Sequence, residues 1–287
     1  MLNRTMLMIA ACVVGVLVAA EVAGAGVLYY EGFDYTADTD LCDAAAWTQT
    51  GGDKTGDDYD LQAMVVAGSL SYGDLQTSGN MIRNEEVNEN WGQVATSTGL
   101  TNPATGERWL SFLFSSNLNN NFQYDYLSVG EYNILTHCMG SSDNSTTAGS
   151  AAFSMGGWTN NGGSAYNHLN GVARSDTGVH MFVAKFDYTP GSESISFYID
   201  PDLDDDAGDL VAFATVDATG LTDKDKAMSM AGIAIRYCNN LNASKVDWWM
   251  DEIRIGDTWA DVSVPEPATL CVLSIGGLGL LARRRRR

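Results

Sequence analysis

The residues with the clearest potential for metal chemistry lie in one acidic run, DPDLDDDAGD, at positions 200–209. Four of its carboxylates alternate along the chain, a spacing typical of the oxygen ligands in calcium-binding loops: Asp200, Asp202, Asp204 and Asp206. An EF-hand loop beginning at Asp200 would need glycine and glutamate where this chain has Asp205 and Val211. The run therefore predicts either a looser Ca²⁺ site or an acidic turn that is simply hydrated.

A second set of candidate ligand contacts is aromatic. Trp158 and Tyr166 lie in a segment rich in glycine and asparagine, at 153–171. Aromatic rings pack against the C–H faces of sugars, and amides bind sugar hydroxyls. The segment predicts a carbohydrate contact at these two rings. The alternative is that Trp158 covers the core and the glycines serve turns.

Groups for acid–base or nucleophilic catalysis are sparse. The three histidines lack metal-ligand spacing and are expected in loops or on edge strands: His137, His168 and His180. No nucleophile-elbow G-x-S-x-G occurs in the chain. A glycosidase needs two neighbouring carboxylates, whereas the adjacent Asp251 and Glu252 should point to opposite faces of one strand. The sequence thus predicts a protein that is not an enzyme.

Three cysteines belong to the central part of the chain: Cys42, Cys138 and Cys238. None is in a C-x-x-C pair, and the number is odd. Either one disulfide with a spare thiol or three unpaired thiols fits this pattern.

The elements that must position these residues are strands, because apolar residues recur at a period of two. HMFVAKFDYTP, from position 180, and SISFYIDP, from position 194, are two such runs. Pro190-Gly191 lies between them and predicts a turn. These segments therefore predict a β-hairpin.

Ten or more strand patterns, joined by polar loops, fill the chain between its two ends. A single sheet of that size would leave one apolar face in water, so two packed antiparallel sheets are expected. The sequence predicts an all-β protein, a β-sandwich of jelly-roll type, with one domain at 26–262.

The N-terminal segment has the organisation of a signal peptide. Arg4 precedes an apolar run, and Ala23 and Ala25 supply the small residues of a signal peptidase site. We expect residues 1–25 to be removed by signal peptidase. An uncleaved membrane anchor is the alternative.

The C-terminal segment, 264–287, has three consecutive parts. Pro265, Glu266 and Pro267 precede fifteen residues without charge, 268–282, which predict a short membrane helix. An arginine cluster follows and predicts a cytoplasmic helix end: Arg283, Arg284, Arg285, Arg286 and Arg287. The prolines keep the backbone extended and accessible just outside the membrane. A removable sorting signal and a permanent single-span anchor both fit this order.

The charge of the chain excludes one class of partner. The whole sequence carries 36 acidic and 16 basic residues, and without the two terminal segments 34 and 10 remain, a net charge near −24. So acidic a surface repels nucleic acid, and no nucleic-acid partner is expected.

The central part of the chain resembles the LamG-like, concanavalin A-like jelly-roll domains of exported bacterial proteins. The segments that carry the resemblance are YYEGFDY, GSLSYGDLQTSGN, RWLSFLF, the hairpin at 180–201 and DWWMDEIRIGDTWADV. The resemblance implies that 251–262 forms a last strand beside the first. It also implies carbohydrate binding or adhesion. Jelly-roll glycosidases carry Glu-x-Asp-x-x-Glu on one strand, and this chain has no such run.

The tail at 264–287 resembles the PEP-CTERM sorting signal that exosortases recognise, and all three parts match. The resemblance implies transient anchoring in the inner membrane, removal of the tail, and delivery to the cell surface or an exopolysaccharide matrix. A non-catalytic surface protein that binds extracellular polysaccharide is therefore the leading expectation. A glycan-cleaving hydrolase and a purely structural matrix component are the alternatives.

Overall fold

The computed structural model describes residues 26–52, 62–75, 77–85, 91–116, 126–129, 136–137, 152–153, 172–173, 178–219, 228–238 and 248–263. The elements of these residues are almost all β-strands, as predicted. In chain order they are β1 (Tyr29–Glu31), β2 (Thr39–Asp40), a 3-10 turn (Leu41–Asp43), β3 (Thr48–Gly52), β4 (Gln62–Val66), β5 (Met81–Glu85), β6 (Trp91–Ser97), β7 (Glu107–Ser116), β8 (Tyr126–Val129), β9 (Thr136–His137), β10 (Ala152–Phe153), β11 (Val172–Ala173), β12 (His180–Asp187), β13 (Ser194–Ile199), β14 (Ala214–Asp217), β15 (Gly232–Cys238), β16 (Trp248–Gly256) and the helix α1 (Trp259–Ser263).

Within the described residues, hydrogen bonds join the strands into two main antiparallel sheets and one short ribbon. The large sheet has the order β14-β13-β12-β7-β16-β5-β4-β2, with β1 also paired to β16. The small sheet has the order β3-β6-β15-β8-β9, and β10 pairs with β11. The last strand therefore lies beside the first, with Tyr30 opposite Arg254, as the resemblance implies. The strand ends at Gly256, however, and the expected continuation to 262 is wrong, because 259–263 form α1.

The predicted hairpin is confirmed. β12 and β13 pair antiparallel from Phe182 opposite Ile199 to Asp187 opposite Ser194. Gly191 in the connecting turn has φ 82°, a conformation that glycine adopts without a steric penalty. β12 also pairs with β7, so His180 lies on an interior strand and the expected edge position is wrong.

The main core lies between the two sheets. Phe112 and Phe182 of the large sheet stack with their ring centroids 5.7 Å apart. They belong to one apolar cluster with Val94, Ile233 and Ile235 of the small sheet. The two sheets thus pack as a sandwich, because each buries its apolar face against the other.

The outer face of the large sheet is also covered. Trp109, Leu113 and Val183 form a second cluster there with Trp259 and Val262 of α1. This double coverage explains why β12 is buried at nearly every position instead of at alternate ones.

Several predictions concern residues outside this description. They are the signal peptide at 1–25, the tail at 264–287, and the loop that contains Trp158, Tyr166 and His168. Among the described residues, α1 is too short to cross a membrane and no other helix qualifies.

Candidate functional site

The acidic pair on β16 is placed differently from the sequence prediction. The register of β16 against β7 shifts between Asp251 and Arg254, and Glu252 has φ 56°. Met250 and Ile253 both point into the main core, so two residues lie between these inward positions instead of one. Strict alternation fails at this bulge, and Asp251 and Glu252 are both completely buried.

Asp251 holds the connection between β4 and β5. Its Oδ2 accepts hydrogen bonds from the Ser69 hydroxyl and from the Leu70 amide, the latter at 2.9 Å. Its Oδ1 accepts one from the Glu252 amide at 2.8 Å. Burial raises the pKa of this carboxyl from 3.8 to about 7, although these hydrogen bonds favour its charged form.

Glu252 holds the same connection at Ser78, eight residues after Leu70. Its Oε1 accepts hydrogen bonds from the Ser78 amide at 2.8 Å and from the Tyr30 hydroxyl at 2.9 Å. Its Oε2 pairs with Arg254 Nη2 at 2.7 Å. The Arg254 guanidinium also lies 5.7 Å from the centroid of the Tyr30 ring, a cation–π contact.

These contacts define what the acidic pair can do. Both carboxylates are engaged by backbone amides and side chains, and neither reaches solvent. A glycosidase needs one carboxyl beside the leaving oxygen and another beside the anomeric carbon, so both must contact the sugar. We conclude that Asp251 and Glu252 position the β4–β5 connection on β16.

The acidic run at 200–209 is arranged around its own turns. Asp200 lies 2.7 Å from His180 Nδ1 through Oδ2, and its Oδ1 accepts the Met181 amide at 2.9 Å. The Asp202 side chain accepts the Asp204 amide at 3.0 Å. The part of the chain that the structure describes contains no group of three or more side chains placed to hold a metal. Calcium binding stays a prediction, and calorimetric titration with Ca²⁺ tests it.

The cysteine predictions resolve in part. Cys42 is a free thiol, and burial raises its pKa to about 12, which leaves it a poor nucleophile at neutral pH. Cys238 ends β15, while Cys138 lies outside the described residues.

The outer face of the small sheet is the surface that sequence reasoning missed. Val94, Leu127 and Ile235 point into the core, so their neighbours along the strands occupy the opposite face. One row crosses all five strands of the small sheet and consists of small or polar residues: Thr48, Ala95, Ala234, Ser128 and His137. We call this surface the small-sheet face.

A second row lies next to the first on the small-sheet face. Gln93 is opposite both Gly51 and Arg236, and its side-chain amide donates to Thr50 Oγ1 at 3.2 Å. The strands β3, β6, β15, β8 and β9 contain no aspartate or glutamate. Residues from four distant parts of the sequence meet here, so only the strand order could have revealed the face.

Comparison with known proteins gives one sequence match and several structural ones. Residues 263–287 match the model of the PEP-CTERM protein-sorting motif. No curated protein matches the chain in sequence. A glycosyl hydrolase family protein from Mycobacterium fortuitum is similar in structure, with a TM-score of 0.50 and 14% identity over 80% of this chain and 99% of that one.

A beta-1,3-glucanase from Mycobacterium marinum is similar to the same degree. Its TM-score is 0.50, with 13% identity over 81% of this chain and 99% of the glucanase. At such identities the likeness concerns the fold, which is the concanavalin A-like jelly roll. The chain thus carries a PEP-CTERM sorting motif at its C-terminus, behind a β-sandwich similar to concanavalin A-like jelly-roll domains.

Proposed function

We propose that the protein is exported, processed by an exosortase at its C-terminus, and retained at the cell surface or in the extracellular matrix as a non-catalytic carbohydrate-binding protein. The PEP-CTERM motif at 263–287 supports the export and processing. The jelly-roll sandwich is consistent with this proposal, because the outer face of one sheet can serve as an extended binding surface. Signal peptidase, acting after Ala25, and an exosortase are the processing partners.

The observation that carries the non-catalytic part is the distribution of carboxylates. The strands of the small sheet contain no acidic residue. The adjacent acids of the large sheet, Asp251 and Glu252, are buried and bind the β4–β5 connection. Hydrolysis by the usual glycosidase mechanisms needs two carboxyl groups about 5–10 Å apart around the scissile bond. The five strands of the small sheet offer no such pair to a bound glycan.

The small-sheet face is our proposed carbohydrate surface. Of its central row, Thr48 is exposed and Ala95 is half-buried, whereas Ala234 on β15 is buried, so we place the glycan contact on the β3–β6 side of the row. The half-buried Thr50 supplies a hydroxyl beside this row, and the buried Gln93 holds it through an amide donor at 3.2 Å. Trp158 and Tyr166, which lie outside the described residues, stay predicted aromatic contacts for a sugar, since carbohydrate sites combine such rings with a few polar groups.

A glycan array probed with residues 26–263 tests the binding. We expect retention on a subset of polysaccharides, and loss of it in Ala95→Trp, which places a large ring in the central row. Ala207→Trp is the matched control, because Ala207 is exposed in a loop after β13. Binding that survives Ala95→Trp would exclude the small-sheet face as the contact surface.

A hydrolase remains the second candidate, because the similar solved structures include a beta-1,3-glucanase and a glycosyl hydrolase family protein. Release of reducing ends from a bound polysaccharide would support it against our proposal. An array without any binding would instead support a purely structural matrix component.

The sorting part has its own test. The full chain is produced in cells with and without the sorting enzyme, and the mass of the product is measured. We expect loss of the arginine cluster, Arg283 to Arg287, when the enzyme is present. A membrane-bound product that keeps these arginines in both strains would identify the tail as a permanent anchor.

A further inference from the structure

The sorting motif begins inside the folded domain. The match to the motif starts at Ser263, which is also the last residue of α1 and is 1% exposed. Val264 alone separates Ser263 from Pro265. The chain therefore offers no linker between the packed domain and the Pro-Glu-Pro segment.

α1 is held by contacts along its whole length. The Trp259 ring lies 5.7 Å from the Trp109 ring, and its indole N–H donates to the Asp205 carbonyl at 2.8 Å. The Val262 carbonyl accepts the buried Ser111 hydroxyl at 3.1 Å. The Ser263 hydroxyl donates to the Trp259 carbonyl at 2.9 Å. The segment preceding the sorting motif is thus helical, buried and hydrogen-bonded.

The start of α1 is fixed as well. Thr258 and Asp261 form a reciprocal capping box, in which the Asp261 side chain accepts the Thr258 amide at 2.8 Å and Thr258 Oγ1 accepts the Asp261 amide at 3.3 Å. A side chain at Gly256 would overlap Asp261, so β16 and α1 fit closely. Such a short helix is stable here because of this cap and its packing.

The length of chain limits how far the domain can stand from the membrane. Five residue steps separate Ser263 from Ala268, the start of the uncharged stretch, and span at most about 18 Å. While that stretch is in the bilayer, the α1 end of the domain lies close to the lipid headgroups. A membrane protease thus meets its recognition segment directly against a folded surface.

We propose that α1 is a latch on processing: the sorting protease can take up the chain around Pro265 only when α1 has detached from the large sheet. We take the protease to bind its recognition segment as extended chain, one of the common modes of peptide recognition, and α1 holds the preceding residues in a helix. Cleavage of a transiently opened segment follows the population of its open form when opening is fast. Docking of α1 then sets the rate at which the tail is removed. This inference rests on the proposed sorting function.

The experiment follows conversion of the full-length precursor in cells that contain the sorting enzyme, by pulse-chase and mass measurement. A six-residue Gly-Ser insertion between Ser263 and Val264 supplies extended chain and leaves α1 docked. We expect it to speed conversion about tenfold or more, because the segment around Pro265 would then be accessible all the time. The same insertion at the exposed Gly191 turn is the control and should leave the rate unchanged.

Trp259→Ala separates the latch from a simple effect of distance, because it detaches α1 without lengthening the chain. We expect faster conversion together with faster hydrogen exchange at 259–263. Ala260→Ser, an exposed change in the same helix, should alter neither quantity. The protease resistance of the remaining domain shows whether Trp259→Ala still folds, and the insertion variant tests the latch without that substitution.

The outcomes distinguish the two proposals. Equal conversion rates for the wild type and the α1–tail insertion would overturn the latch and leave sorting intact. Absence of conversion in every variant would overturn the sorting function and the latch with it. If only the insertion variant were converted, the latch would be supported, and α1 would be docked in nearly all wild-type molecules.

Discussion

Replacing Asp251 with asparagine should remove much of the pH dependence of the domain's stability. Asp251 is completely buried on β16, and burial raises its pKa to about 7. The charge that acts on it is that of Glu252, the next residue, which is itself paired with Arg254. Asparagine retains the carbonyl oxygen that Ser69 and Leu70 contact, but it does not titrate.

The sign follows from proton binding in the two states. The carboxyl has an ordinary pKa of 3.8 when unfolded and about 7 when folded, so the folded state holds a proton that the unfolded state releases. The contribution of this carboxyl to the free energy of unfolding is therefore largest below about pH 4, and it is lost as the pH rises to about 7. A pKa difference of about 3 corresponds to about 4 kcal/mol, of which about 3 kcal/mol falls between pH 5 and pH 8.

Urea unfolding of residues 26–263 at pH 5 and pH 8 measures the effect. We expect the wild type to lose about 3 kcal/mol more than Asp251→Asn over this interval. Asp74→Asn, an exposed change in the β4–β5 connection, controls for the loss of one negative charge. If the wild type and Asp251→Asn showed the same pH dependence, the assignment of a buried, protonated Asp251 would be refuted.

Three further substitutions test the packing by thermal and urea unfolding. Gly79→Ala should destabilise by about 2 kcal/mol or more, because Gly79 has φ 84° and a Cβ there would overlap the Gly32 carbonyl; an unchanged midpoint would contradict this close approach. Gly256→Ala should cost a similar amount, about 2 kcal/mol, by displacing Asp261 and α1, and hydrogen exchange in α1 should rise with it. Phe182→Ala should cost about 3–5 kcal/mol by leaving a cavity between the sheets, and a smaller loss would indicate that the core collapses around it.

The sequence predicted those parts of the fold that depend on local patterns. The β12–β13 hairpin needs only alternation and the Pro190-Gly191 turn, and it was predicted correctly. The bulge at Asp251 was not predicted, because alternation assumes an unbroken strand and nothing in the residue types marks the extra position. The prediction for His180 was wrong for a related reason, because its place on an interior strand depends on pairing with β7, which is far away in the sequence.

Candidate sites were harder to predict, because they depend on which strands become neighbours. Thr48, Ala95, Ser128 and Ala234 share a row only through the order β3-β6-β15-β8, and none of these residue types signals a site alone. The acidic run at 200–209 gave a strong local signal, yet the carboxylate of Asp200 contacts His180, which lies before the hairpin turn.

The placement of the buried acids bears on where a ligand can bind. The large sheet buries one face against the small sheet and the other beneath α1 and its neighbouring loops. Asp251 and Glu252 hold the β4–β5 connection over that outer face. Opening the face to a ligand would therefore expose an apolar cluster and break the hydrogen bonds of both carboxylates to this connection. The small sheet carries no acid on its strands, and on its outer face Thr48 is exposed and Ala95 is half-buried. The carbohydrate contact that we propose is therefore expected on the small-sheet face, where Ala95→Trp tests it.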